Sequence, residues 1–261
     1  RWSKRTNVNT GSNNQRDRVA SGCVSESDGS TYMLTTGNGI SNYFGTRLLK
    51  TDALGNFVGT KAFSLTGASN DHDYNPDRVF AANGEGVFIS GEYIGNEVTI
   101  NGNAEYELNP VVIKMDANLN VLWKRRYFYN NASTFTESIE EDNDGSVILS
   151  ATVFIETNED HASLLKVSSN GSSINWWKRV RAGGQPVALR KMLEVGGAYY
   201  YTGYHTYDRA ILVKVSKQTG QILFVKRYNT TLGSGQQLLQ NENGNLLIFA
   251  QKGIIETDLN G

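Results

Sequence analysis

The sequence is poor in the residue types that usually carry chemistry. It has one cysteine, Cys23, in 261 residues, which excludes an internal disulfide. Cys23 falls on a segment expected to be an inner strand and reads as a small buried apolar side chain, as free cysteines usually are. A nucleophilic role would need a histidine beside it. The three histidines, His72, His161 and His205, all fall in expected loops or strand ends and belong to no motif. The formal net charge is -1, so there is no overall electrostatic field for a nucleic acid or other polyanion. No apolar run approaches the roughly 18 residues of a transmembrane helix. No stretch places apolar residues at helical spacing, and no cofactor fingerprint is present. Neither a signal peptide nor an initiator Met is visible, so the expectation is a mature form or one domain of a longer chain.

What is abundant is repetition. The clearest unit is an apolar strand carrying Lys, then Asp or Ser, a turn, and a strand carrying an aromatic and Lys-Arg. It runs Leu48-Leu49-Lys50-Thr51-Asp52 to Phe63, then Val112-Ile113-Lys114-Met115-Asp116 to Tyr127. It returns at Leu164-Leu165-Lys166-Val167-Ser168 to Val180 and at Leu212-Val213-Lys214-Val215-Ser216 to Tyr228. The markers Lys50, Lys114, Lys166, Lys214 and Glu256 are separated by 64, 52, 48 and 42 residues. That scatter suits loops of varying length on a framework near the roughly 40–50 residues of one four-stranded propeller blade. Two further strands precede each marker, joined by Ser27-Asp28-Gly29, Gly84-Glu85-Gly86, Asn143-Asp144-Gly145, Val195-Gly196-Gly197 and Glu242-Asn243-Gly244. Asn and Gly tolerate positive φ, so these are expected to be tight hairpin turns.

The fifth copy, Ile254-Ile255-Glu256-Thr257-Asp258, is half a unit, and its missing strand matches Trp2 to Thr6 at the other end. The expectation is an all-β, five-bladed β-propeller of four-stranded antiparallel blades, in which the N-terminal strand completes the C-terminal blade. Closure removes exposed edges and uncovered faces. As one domain, its blades cover about 17–63, 74–127, 136–180, 186–228, and 235–261 together with 1–6.

The pattern of a Gly turn, a strand, apolar-apolar-Lys-x-Asp-x-x-Gly and x-x-Trp-x-Lys resembles the propeller repeats of large secreted and cell-surface bacterial proteins of the Bacteroidetes type. The resemblance spans the chain, but its motifs are structural. It implies an extracellular, cell-surface or outer-membrane-associated location and a binding or scaffolding role. It carries no catalytic residues. Gly59-Thr60-Lys61 departs from it where an aromatic is expected, as does Glu256 where Lys is expected.

Four features are candidate sites. The aromatic-Lys columns, with Trp2, Trp123, Trp176, Trp177 and Phe224 beside Lys4, Lys61, Lys124, Lys178 and Lys226, recur in every blade and therefore read as packing and edge protection. The starts of the inner strands carry Asp17-Arg18, Asp77-Arg78, Glu137, Arg190 and Gln236-Gln237. In a propeller these line one channel mouth, where carboxylates from different blades can serve a glycoside hydrolase. The Arg neighbours favour a salt-bridged lining instead. The insertion from Gly91 to Pro110 is acidic and includes Glu92, Tyr93, Glu97, Glu105 and Tyr106, with an Asn-Gly hairpin expected within it. Such insertions often form binding surfaces. Asp71 and Asp73 in Asn70 to Asn75 are calcium candidates, but their spacing fits no EF-hand and reads better as a solvated loop. The acidic run Glu140 to Gly145 reads as a turn.

These residues lead to the expectation of a non-catalytic surface module with a protein or glycan partner, within a larger chain or assembly. The alternative is a glycan-active enzyme or a lectin using the channel mouth. A lectin with one site per blade would need near-identical polar loops, whereas here the loops diverge and the strands repeat.

Overall fold

The computed structural model describes residues 18–25, 27–38, 44–63, 74–84, 86–100, 103–127, 132–155, 161–182, 187–205, 209–228 and 231–261. Side chains at 18–20, 36–38, 44–45, 74–75, 77, 93–100, 103–108, 132–133 and 154–155 lie outside the description. The chain divides into two compact units, residues 1–95 with 108–128, and residues 96–107 with 129–261.

The described residues form antiparallel sheets of four, eight, four and three strands, in which all hydrogen-bonded neighbours but one pair are consecutive in sequence. In the first unit the strands are β1 (Arg18–Val24), β2 (Thr31–Asn38), β3 (Phe44–Thr51) and β4 (Phe57–Phe63). A second set is β5 (Tyr74–Ala81), β6 (Val87–Ile100), β7 (Asn103–Met115) and β8 (Val121–Arg126). In the second unit come β9 (Ala132–Glu141), β10 (Val147–Ile155), β11 (His161–Val167) and β12 (Ile174–Val180). They are followed by β13 (Val187–Val195), β14 (Ala198–His205), β15 (Arg209–Ser216) and β16 (Ile222–Arg227). The last sheet has three described strands, β17 (Gly235–Gln240), β18 (Leu246–Ala250) and β19 (Gly253–Thr257). Residues 1–6 lie outside the description, and with them the pairing expected to complete this sheet.

Burial explains the strand sequences. Sheets stacked face to face bury their middle strands on both sides, so β11 is buried at all seven positions rather than alternating. In β14, Tyr199 and Tyr201 face one core with Leu164, Leu189 and Val213, while Tyr200 faces another with Leu212, Leu238 and Ile248. The last strands of the sheets, β8, β12 and β16, are largely exposed. Trp123 and Trp176 turn inward from them, Phe224 is half-buried and Trp177 is exposed. Lys61, Lys124 and Lys226 are in solvent and Lys178 is half-buried, so these columns guard edge strands as the repetition implied.

The marker lysines have a role that the sequence did not disclose. Lys50 donates from β3 to the Ala117 carbonyl in the β7–β8 turn at 2.9 Å. Lys214 donates from β15 to the Leu259 carbonyl beyond β19 at 3.3 Å. Each ties one sheet to a turn of the next, and burying the ammonium against an aromatic (Tyr32 for Lys50, Tyr200 for Lys214) adds cation–π attraction.

The Gly-marked turns close as tight hairpins, with positive φ at Gly145, Gly196, Gly197 and Gly244. Gly196-Gly197 makes a two-residue turn closed by Val195 opposite Ala198, while Asp142 N donating to Ser146 O and Asn241 N to Asn245 O close the β9–β10 and β17–β18 turns. The insertion of Gly91 to Pro110 extends two strands, of 14 and 13 residues, that end at Ile100 and resume at Asn103, on either side of the Asn-Gly pair expected to turn there. Its residues 96–107 group with the second unit, and the hydrogen-bonded strand order continues from β7 to β9.

Candidate functional site

Each inner strand carries one β-bulge. The register skips Ala20 in β1 and Asp77 in β5 in the first unit. In the second unit it skips Glu137 in β9, Arg190 in β13 and Gln236 in β17. A bulge leaves one residue out of the ladder, bends the strand and re-aims that side chain, and bulges are common beside active sites. The framework repeats at these positions while the chemistry changes: alanine, two carboxylates, a guanidinium and an amide.

The next residue in β1 or β9 holds neighbouring inner strands together. Val79 N donates to Ser21 Oγ at 3.1 Å in the first unit. In the second, Ser138 Oγ meets Ser150 Oγ at 2.7 Å, and Ser150 donates to the Leu189 carbonyl at 2.6 Å. The contacts of the second unit are buried and that of the first is partly so, which fixes the backbone around these bulges from behind.

In the second unit the re-aimed side chains are also fixed. Ser234, itself buried, accepts at Oγ from Gln236 Nε2 at 2.7 Å. Gln236 Oε1 accepts from Arg190 Nη1 at 2.8 Å. The guanidinium of Arg190 lies over the Tyr204 ring at 4.8 Å. Thr152 Oγ1 donates to Glu137 Oε1 at 3.0 Å. Among the described residues no carboxylate pairs with Arg190, so the expected salt-bridged lining is not what surrounds it. A half-buried carboxylate and an oriented guanidinium thus stand on adjacent sheets, β9 packing against β13 and β13 against β17.

The densest charged cluster lies elsewhere. Asp142, expected in a solvated turn, has a fully buried side chain. Lys166 Nζ reaches its Oδ2 at 2.6 Å, Lys217 Nζ is bonded to its Oδ1, and Tyr199 OH donates to Oδ2 at 2.6 Å. Lys217 also pairs with Glu194 at 2.6 Å. Burial alone would raise the Asp142 carboxyl, but the bonds from Lys166, Lys217 and Tyr199 outweigh it and hold it well below the usual range. Burial and the bond to Asp142 push the Tyr199 hydroxyl far up. Both Asp142 oxygens are engaged, so this cluster joins the two sheets and offers no open group for catalysis.

Cys23 is half-buried on β1, and burial raises its thiol to about 12, which removes it as a thiolate nucleophile. His161 is buried at the start of β11, and His205 Nε2 lies 2.9 Å from the Ala182 carbonyl at the end of β14. Glu92 is buried on β6, Arg78 is half-buried on β5 and Gln236 is exposed. Asp17, Asp71 and Asp73 lie outside the described residues, as do the side chains of Arg18, Asp77, Tyr93, Glu97, Glu105 and Tyr106. Among the described residues no cluster of three or more His, Cys, Asp or Glu is placed to hold a metal, and no helix is long and apolar enough to cross a membrane. Tyr204, Thr152 and Ser234, which orient the site, were not singled out from sequence. A polar residue beside each expected inner-strand start was the available signal, but the bulge itself leaves no signature.

No protein-family model matches this sequence, and no curated protein does. Solved structures do resemble its fold. A PL25 ulvan lyase bound to GlcA(1-4)Rha3S matches with a TM-score of 0.55 and 12% identity, over 93% of this chain and 66% of that one. The periplasmic gluconolactonase PpgL of Pseudomonas aeruginosa matches at 0.54 and 13%, over 91% and 66%. A subtype N10 neuraminidase-like protein of A/little yellow-shouldered bat/Guatemala/060/2010 matches at 0.51 and 11%, over 89% and 72%. The fold is of the propeller type. The chain spans just under two thirds of the lyase and gluconolactonase chains, and identities this low carry the fold alone.

These structures correct one expectation. The non-catalytic reading rested on a recurring framework without catalytic motifs. The same type of framework carries a polysaccharide lyase and a gluconolactonase, so it is no ground for excluding an enzyme. Propeller chemistry resides in what differs between blades, which repeat analysis sets aside.

Proposed function

We propose that this protein is a glycan-active enzyme working at the bulges of its inner strands. The observation that carries this reading is the bulge row itself. At three equivalent backbone positions of the second unit the side chains are Glu137, Arg190 and Gln236, non-recurring polar chemistry on a recurring scaffold. Glu137 is the carboxylate assigned to proton transfer at the glycosidic bond, held by Thr152. Arg190 and Gln236 are assigned to substrate positioning. The names of the ulvan lyase and the gluconolactonase lend support by showing what chemistry this type of fold accommodates.

We further propose the five-bladed closure, with residues 1–6 as the fourth strand beside β19. Its support is the half-unit of repeat at each end of the sequence. The three-stranded sheet adds to this, since one of its faces still carries Leu239 and Ile254 in solvent. The location outside the cell follows from the resemblance to secreted and cell-surface bacterial repeats.

The test is a panel of neutral and acidic polysaccharides scored for new reducing ends. Wild type is expected to cleave at least one, and Glu137→Gln to lose about 100-fold or more of that rate while still binding, since a positioned acid–base group contributes roughly 10²–10⁴. Unchanged turnover in Glu137→Gln, or no cleavage of any glycan, would sink the reading.

A further inference from the structure

The surroundings of Arg190 specify more than a polar surface. Its bulge takes it out of the β13–β14 ladder between Leu189 and Lys191. The Tyr204 ring supports one face of the guanidinium, and Gln236 fixes Nη1. Gln236 is in turn held by the buried Ser234, whose own position is set in the turn before β17. A long flexible cation is therefore held in one orientation by a chain of contacts that leads into the core.

Such an arrangement has a chemical meaning. A guanidinium is a planar fork that matches carboxylate and sulfate oxygens two at a time, and its orienting costs are already met here before any ligand arrives. Among the described residues the partners of Arg190 are an aromatic face and a neutral amide, which orient the guanidinium without adding a charge of their own.

We infer that Arg190 is the anchor for an acidic group on the glycan, so that the substrate class is a polysaccharide bearing carboxylate or sulfate. This rests on the glycan-active reading and sharpens it. The net charge of -1 is no obstacle, because one fixed guanidinium recognises one anionic group by geometry and needs no protein-wide field.

The experiment is titration calorimetry of the wild-type protein and of Arg190→Ala and Arg190→Lys. The ligands are oligogalacturonate for carboxylate, a sulfated galactan for sulfate, and neutral pullulan. Wild type should bind one acidic glycan at least 10-fold more tightly than pullulan, with affinity falling as salt rises. Arg190→Ala should remove that preference. Arg190→Lys should restore little of it, because a lysine keeps the charge and loses the fork. Thermal midpoints of the variants should stay near wild type, which separates recognition from folding. If the protein binds or cleaves pullulan as well as the acidic glycans, this inference falls and the glycan reading stands. If no glycan binds, both fall. If Arg190→Lys keeps full preference, fork geometry is not the basis and the inference is overturned.

Discussion

Asp142 belongs to a run, Glu140 to Asp144, whose composition suits a solvated turn. The turn is real, yet this side chain points into the protein and meets Lys166, Lys217 and Tyr199. Removing it leaves the buried Lys166 with only its longer, 3.5 Å contact to the more exposed Asp144, and breaking a buried pair typically costs about 3–5 kcal/mol. Asp142→Asn is therefore expected to lower stability by an amount in that range, read from the urea midpoint. The pH dependence has a definite sign. Because the folded carboxyl titrates below its unfolded value, the unfolded chain takes up the proton first as pH falls. The contribution is complete above about pH 4, the usual carboxylate range, and is lost progressively as pH drops toward the depressed folded value. Urea midpoints between about pH 2 and 6 should show an acid limb that is steep in wild type and shallower in Asp142→Asn. Nothing in the one-dimensional run separates Asp142 from Asp144, which accepts from Ser146 N at the surface of the same turn. Only the neighbouring strands distinguish them.

At the scale of the element, the inner strands were readable as strands, since Val, Ile, Tyr and Thr alternate with Gly-marked turns. Their bulges were not, because an extra residue in a ladder is a relation between two strands. Gly203 shows how tightly the bulge of β13 is built. A Cβ at this position would lie 1.8 Å from the carbonyl oxygen of Ala188, the residue before its ladder partner Leu189. Gly235 is similar, with a Cβ placed 2.1 Å from Thr202 Oγ1. Gly203→Ala is expected to force β13 away from β14, at a cost of roughly 1–3 kcal/mol typical of overpacking. It should also weaken glycan binding by displacing Arg190. A Gly203→Ala protein with an unchanged thermal midpoint would show that the close approach is not a constraint on the fold.

For the whole molecule, periodicity predicts the number of sheets and their strand order, because each unit repeats the same alternation and turn chemistry. It says nothing about which faces meet. On the proposed closure, residues 1–6 pair with β19 and satisfy its outer edge. Deleting them should leave the amides of β19 that point away from β18 unprotected and lower the thermal midpoint of the protein. Hydrogen exchange on the full chain and on the chain lacking 1–6 decides this. Equal, fast exchange at β19 in both would mean that no strand covers that edge.

The sequence by itself determined an all-β repeat of propeller type, because strand propensity, turn chemistry and a recurring Lys marker are local properties that each unit states again. It also placed Glu137, Arg190 and Gln236 at equivalent points of three repeats. Only the tertiary structure decided that these residues are bulged out of their ladders, that Arg190 is braced by Tyr204 and Gln236, and that Asp142 is buried between lysines. The physical reason is range: a hydrogen bond within a turn is encoded over a few residues, whereas Arg190 and Gln236 are 46 residues apart and meet only when two sheets stack.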